Sequence, residues 1–194
     1  MNLKLYKLLN LTALFLANGI AQAAINLDIN PIAQSGNSVD IGIVISGLDS
    51  GAAPSLSTYD LDLNFDPSQL SFASADFGNQ LDLFNSGSNL TTAEITSPGV
   101  LNLFELSFDS PADLNILQAD SFTLATLTFN IVNAGTSQLE IFINALGDAD
   151  GNPLANVALT SASITTVPLP PAFFMMAPVL AGLAYKGKNR KIVL

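Results

Sequence analysis

The chain contains no cysteine, histidine or tryptophan, and between Leu8 and Tyr185 it contains no lysine or arginine. Each absence excludes a chemistry. Without cysteine there is neither a disulfide framework nor a thiol nucleophile. Without histidine there is no Ser-His-Asp triad and no histidine-based zinc centre. Without lysine in that long middle, a Ser-Lys pair is also excluded. Nucleic acid and anionic headgroups are excluded as partners, because the cationic side chains that would meet phosphate are missing. Tryptophan is absent and Tyr59 is the only tyrosine between Leu8 and Tyr185, so rings on which sugars could stack are scarce. Paired carboxylates of the kind glycosidases use remain. However, Asp60 and Asp62 sit on the outward positions of an alternating segment, where solvated charge is the ordinary expectation. The chain is therefore read as a non-enzyme.

What is present is acid. All sixteen Asp and Glu lie between Asp28 and Asp150, and all six Lys and Arg lie at the ends, as Lys4, Lys7, Lys186, Lys188, Arg190 and Lys191. The middle therefore carries sixteen negative charges with no basic side chain of its own to pair them, which attracts cations.

The N-terminus reads as a secretory signal peptide over residues 1–23. Lys4 and Lys7 make the charged beginning, Leu8–Ala17 the apolar stretch, and Ala21 and Ala23 the small-x-small site, with cleavage before Ala24. The apolar stretch is much shorter than the roughly twenty residues that span a bilayer. The exported domain, residues 24–166, is long enough to bury about two-thirds of its unfolded surface in one core, so disulfides are dispensable.

That domain alternates apolar and polar residues with period two, the pattern of sheets with one face buried. Strands are expected at INLDI, VDIGIVI, YDLDLNF, LSF at 70–72, LDLF at 81–84, AEIT, VLNLFELSF, FTLATLTFNIV, QLEIFIN and NVALTSASIT at 156–165. Turn signals such as Ser35-Gly36-Asn37, Asp66-Pro67, Ser97-Pro98-Gly99 and Asp150-Gly151-Asn152-Pro153 separate them. Asn85–Thr92 reads as an exposed loop and contains a glycosylation sequon, Asn89-Leu90-Thr91. The expected architecture is an all-β sandwich of about nine strands without a helix of consequence.

Two local constellations stand out. In GDADGNP, Asp148, Asp150 and Asn152 occupy alternate positions before a glycine-permitted turn. Hard oxygen donors at that spacing suit calcium as a cofactor. The same residues are good chemistry for a hairpin between 138–144 and 156–165, and Pro153 and Leu159 depart from the calcium pattern. The other concerns partners. Tyr59, Leu61, Leu63 and Phe65 share a face expected to be core. Phe142, by contrast, falls opposite the inward Leu139, Ile141 and Ile143, and Phe104 falls on the outward side of a strand apolar on both faces. Phe104 and Phe142 are thus candidates for covering by a partner.

YDLDLNFDPSQLSF, GVLNLFELSF and FTLATLTFNIVNAGTSQLEI resemble the cohesin family in order and spacing across nearly all of residues 24–166. The resemblance implies a jelly-roll or Ig-like sandwich, a dockerin-like protein partner, and kinship with carbohydrate-binding modules. An exopolysaccharide ligand is the alternative function that kinship leaves open.

After the domain comes VPLPPAFFMMAPVLAGLAYKGKNRK. Its apolar part, the fifteen residues Pro171–Tyr185, would reach about 22 Å as a helix against a hydrocarbon core near 30 Å, with Pro178 inside it. Lys186, Lys188, Arg190 and Lys191 form a basic stop that favours the cytoplasmic side. Val167, Pro168, Leu169 and Pro170 followed by this segment resemble the PEP-CTERM class of sorting tails, in its VPLPA-type variant. The resemblance implies an exosortase-type sorting protease of a Gram-negative, exopolysaccharide-making bacterium. It further implies an inner-membrane precursor and a final place at the cell surface or in the extracellular matrix.

Overall fold

The computed structural model describes residues 24–87 and 89–166; Ala21 and Ala23, the Val167–Pro170 motif and the basic stop lie outside the described residues. The order is β1 (Ile25–Ser35), β2 (Ser38–Ser46), β3 (Leu56–Asn64), β4 (Leu70–Phe77), β5 (Leu90–Ser97), β6 (Val100–Leu106), α1 (Pro111–Leu117), β7 (Ser121–Ile131), β8 (Gly135–Asp148), β9 (Val157–Thr160) and β10 (Ala162–Thr166). They build two five-stranded sheets, ordered β4-β7-β2-β1-β9 and β10-β8-β3-β6-β5. The chain is an all-β sandwich, as the alternation requires. Among the described residues no helix is long and apolar enough to cross a membrane.

Period-two alternation sends one row of each strand inward. Ile41, Ile43 and Ile45 from β2 meet Tyr59, Leu61 and Leu63 from β3, with Leu101 and Leu103 from β6 and Leu127 and Phe129 from β7, all essentially sealed from solvent. Phe129 receives Phe65 and Phe72 edge-on, with ring centroids 5.0 and 5.8 Å away. The β1–β2 hairpin closes Ser35 onto Ser38, and Gly36 holds φ +60° at its first central position, where a side chain would be strained.

Three sequence expectations are corrected. Leu81–Phe84 is not a strand. Asp82 turns its carboxylate back onto the backbone N–H groups of Ser86 and Gly87 and the Ser86 hydroxyl, while Leu83 N–H bonds to Asp109. Side-chain acceptors there outcompete a ladder. Only Leu81 stays buried. Residues 156–165 are not one strand returning from β8. Val157–Thr160 crosses over to run parallel beside β1, and Ala162–Thr166 returns to pair antiparallel with β8. Alternation specifies which face is buried, and it is silent about which neighbour is paired. Asn85–Thr92 is not loop throughout, because β5 takes in Leu90, Thr91 and Thr92. The one short helix, α1, is capped by Ser110, which accepts from Asp113 N–H, and Pro111 opens its first turn.

Candidate functional site

The outward positions of the β8-β3-β6-β5 layer are set by register. Asp60 of β3 lies opposite Phe104 of β6, Asp62 opposite Asn102, and Thr58 opposite Leu106. On the other flank Asp62 lies opposite Phe142 of β8 and Asn64 opposite Glu140. At the edge Leu90 of β5 pairs with Leu106, Thr92 with Phe104 and Glu94 with Asn102. Phe104 and Phe142 therefore straddle β3, about 12 Å apart from strand spacing and rise. Phe142 is half exposed and Phe104 partly buried.

Amides hold the two aspartates between them: Asn102 Nδ2 donates to Asp60 Oδ1 at 2.7 Å and to Asp62 Oδ1 at 3.0 Å, and Asn144 Nδ2 donates to Asp60 Oδ1 at 3.2 Å. Asn144 reaches Asp60 because the β3–β8 register shifts there, and a shift of one residue re-aims a side chain. The arrangement makes Asp60 and Asp62 a rigid acceptor platform between two rings.

The apolar row on β6 continues past the strand. Phe104, Leu106 and Phe108 alternate outward, and Phe108 is among the most exposed large apolar residues. Leu83 N–H on Asp109 draws the 78–89 loop to this end, where Phe84 is also exposed. The middle of the opposite sheet's outer surface is mostly polar, with Asp28, Asp40, Asp76, Thr126 and Thr128 in the outward register positions, but it also carries Val44 opposite Asp28 and the exposed Ile32 over Gly42. The exposed rings of Phe108 and Phe142 single out the first face. Leu90 and Phe84 are members that sequence reasoning missed. The alternation of VLNLFELSF puts Phe108 on the side of Phe104, whereas Leu90 was hidden inside a stretch that reads as loop.

Beneath this face lies an inward carboxylate. Glu105, between Phe104 and Leu106, is 1% exposed; its Oε2 accepts from the Tyr59 hydroxyl at 3.0 Å and its Oε1 from Asn89 Nδ2 at 2.7 Å. Burial pushes the Glu105 carboxyl above its usual range, opposed by those two hydrogen bonds and assisted by the nearby Asp82 charge. Burial, then the Glu105 charge and hydrogen bond, raise the Tyr59 hydroxyl well above a normal phenol. The sequon's Asn89 amide is thus engaged inside the fold.

The GDADGNP segment forms a tight turn. Asp148 Oδ1 accepts from Asp150 N at 3.0 Å and Asn152 N at 2.7 Å, and Asn152 Nδ2 lies 3.2 Å from Asp148 Oδ2. Asp148 and Asn152 come together, with Asn152 presenting its donor end. Among the described residues no group of three or more acidic side chains is placed to hold a metal ion.

No curated protein matches the chain significantly. Among solved structures, the sixth cohesin of scaffoldin B from Acetivibrio cellulolyticus, in complex with a dockerin, is 24% identical with a TM-score of 0.58, covering 74% of this chain and 99% of that one. A non-cellulosomal cohesin from the archaeon Archaeoglobus fulgidus is 15% identical with a TM-score of 0.57, covering 79% and 98%. A cohesin–dockerin complex from Clostridium thermocellum gives 13%, 0.59, 74% and 99%. These likenesses speak to the fold. The cohesin domain model matches residues 26–166, nearly the whole described sandwich. Over that span the chain belongs to the cohesin domain family, whose members are non-catalytic protein-interaction modules.

Proposed function

We propose that this protein is an exported component of the cell surface or extracellular matrix that captures a dockerin-like protein on the outer face of β8, β3, β6 and β5. One observation carries the reading: large apolar side chains (Phe142, Leu90, Phe104, Leu106, Phe108) gather on that face, including the exposed rings of Phe108 and Phe142, whereas the opposite sheet's outward positions are mostly polar and its apolar members, Ile32 over Gly42 and Val44, are aliphatic. Apolar rings around a fixed polar platform are how protein interfaces combine affinity with orientation. The dockerins seen on related cohesins suggest the class of partner. A polysaccharide ligand is less well supported, because Tyr59 is buried and tryptophan is absent.

Topology supports display from a C-terminal tether. Thr166 pairs with Gly135, at the Asn64 end of the sheet, whereas Leu90, Leu106 and Phe108 lie at the Thr58 end. A tail held at the inner membrane and processed by an exosortase-type enzyme would present the apolar end outward. The test is titration calorimetry of the full chain with a dockerin module encoded in the same genome, with a glycan array in parallel. Phe142→Asp and Phe104→Asp are expected to weaken dockerin binding tenfold or more, in line with roughly 1–3 kcal/mol per anchor residue. Asp40→Asn, on the opposite sheet, should change nothing. Undiminished binding by the Phe104/Phe142 double variant would refute the face, and glycan binding without protein binding would replace the reading.

A further inference from the structure

The buried Glu105 has more to do than fill space. The Tyr59 hydroxyl has one proton and two acceptors, Glu105 Oε2 at 3.0 Å and the Leu124 carbonyl of β7 at 3.5 Å. That carbonyl already accepts from Gly78 N–H at 2.8 Å, and Asn89 donates to the other oxygen of Glu105 at 2.7 Å. Gly78 and Asn89 are the two ends of the loop that leads from β4 to β5. When Glu105 is ionised, Tyr59 must donate to it, and the Leu124 carbonyl keeps only Gly78. When Glu105 carries a proton on Oε2, it donates to the Tyr59 oxygen and Tyr59 turns its own proton to Leu124. Asn89 keeps its acceptor on Oε1 in either state. The chain Asn89–Glu105–Tyr59–Leu124–Gly78 is then continuous, joining both ends of the loop through both sheets.

We propose that Glu105 and Tyr59 form a proton-operated latch, in which protonation of Glu105 moves the Tyr59 hydroxyl onto Leu124 and closes a hydrogen-bonded ring around the 78–89 loop. The surroundings favour this. Glu105 on β6 faces Tyr59 from β3, Asn89 ahead of β5, uncharged Leu124 from β7, and Asp82 from the loop, whose negative charge further disfavours ionisation. No lysine or arginine occurs between Leu8 and Tyr185 to hold the anion. The sign follows: a carboxyl raised by folding stabilises the fold while it is protonated, and that contribution is lost as pH rises through its folded pKa. The loop carries Phe84 and runs into Leu90, so the latch also sets how firmly this rim of the docking face is held. That last consequence rests on the docking reading; the latch does not.

Tyr59 reports on itself. In the full chain with Tyr6→Phe and Tyr185→Phe it is the only tyrosine, and there is no tryptophan to mask it. Tyrosine emission depends on the acceptor its hydroxyl meets, so an exchange of Glu105 for Leu124 changes it. Emission should therefore titrate as pH falls from about 8 towards 4, with a midpoint above the 4.3 or so of an exposed glutamate. Glu105→Gln, whose amide can donate to Tyr59 as the protonated acid does, should be flat across that range. Glu94→Gln, an exposed carboxylate removed as a control, should titrate like the parent. In urea, Glu105→Gln should fold more tightly at neutral pH, about tenfold in the folding constant for each unit separating folded from unfolded titration. Emission that ignores pH, or titrates identically in Glu105→Gln, overturns the latch, as does a Glu105→Gln that is less stable than the parent at neutral pH.

Discussion

Gln118 is a buried amide at the end of α1 that joins three parts of the chain. Its Oε1 accepts from Leu56 N–H at 2.6 Å, and its Nε2 donates to the Leu56 carbonyl at 2.8 Å and to the Gln80 carbonyl at 3.0 Å. Gln118 is 3% exposed and Leu56 is fully sealed. Gln118→Met preserves length and girth and removes all three bonds. The two Leu56 groups then lie in a dry site without partners, at about 1–3 kcal/mol each. Gln80 is only half-buried, so water can replace its lost bond. Methionine recovers part of the loss because it brings no polar atoms to desolvate, and a net loss of about 2–4 kcal/mol is expected. For a domain holding about 5–15 kcal/mol in total, that is a large fraction. In urea unfolding of the full chain the slope should be unchanged and the midpoint should fall by about 1–2 M. Gln118→Glu should also destabilise at neutral pH, because it aims an oxygen at two carbonyl oxygens, and should recover in part on acidification. A Gln118→Met chain within about 0.5 kcal/mol of the parent would refute the claim that this amide fastens α1 and the 78–89 loop to β3.

Three further outcomes follow from particular geometries. Gly99 holds φ +83°, and a Cβ there would stand 2.7 Å from the Phe65 carbonyl oxygen, so Gly99→Ala should cost at least about 1–2 kcal/mol in thermal or urea unfolding. Bonds from Gly87 N–H and from Ser86 hold the Asp82 carboxyl below its ordinary 3.8, so it stabilises the fold above the unfolded value and ceases to as pH falls through the folded one. Asp82→Asn should accordingly lower the unfolding midpoint at neutral pH, with the difference from the parent vanishing in strong acid. Asp148→Ala removes the acceptor of two backbone N–H groups and should cost about 1 kcal/mol per bond lost. Melting with and without millimolar calcium is expected to show that loss unchanged, and a calcium-dependent rise confined to the parent would assign the turn to a cation instead.

Much of the fold was legible because burial leaves its mark in order along the chain. YDLDLNF announces which side of β3 is wet, and the structure buries Tyr59, Leu61 and Leu63 while Asp60 and Asp62 face out. Leu81–Phe84 misled because four alternating residues carry too little information against an aspartate that can satisfy backbone N–H groups by itself. Phe142 and Phe104 were visible as outward rings on separate strands, but nothing in their spacing reveals that β3 lies between them. Glu105 was legible only as one more alternating position, and its partners Tyr59 and Asn89 are remote in sequence.

The sequence by itself determined the class of fold, the exclusion of histidine and cysteine chemistry and, between Leu8 and Tyr185, of lysine chemistry, and the concentration of acid in one domain, since these depend on residue type and local period alone. The tertiary structure decided which strands became neighbours. Pairing is chosen by non-local packing across the sandwich, and that choice set Phe104 and Phe142 about an amide-held pair of aspartates. It also sent β9 and β10 to different sheets and left Glu105 buried against Tyr59.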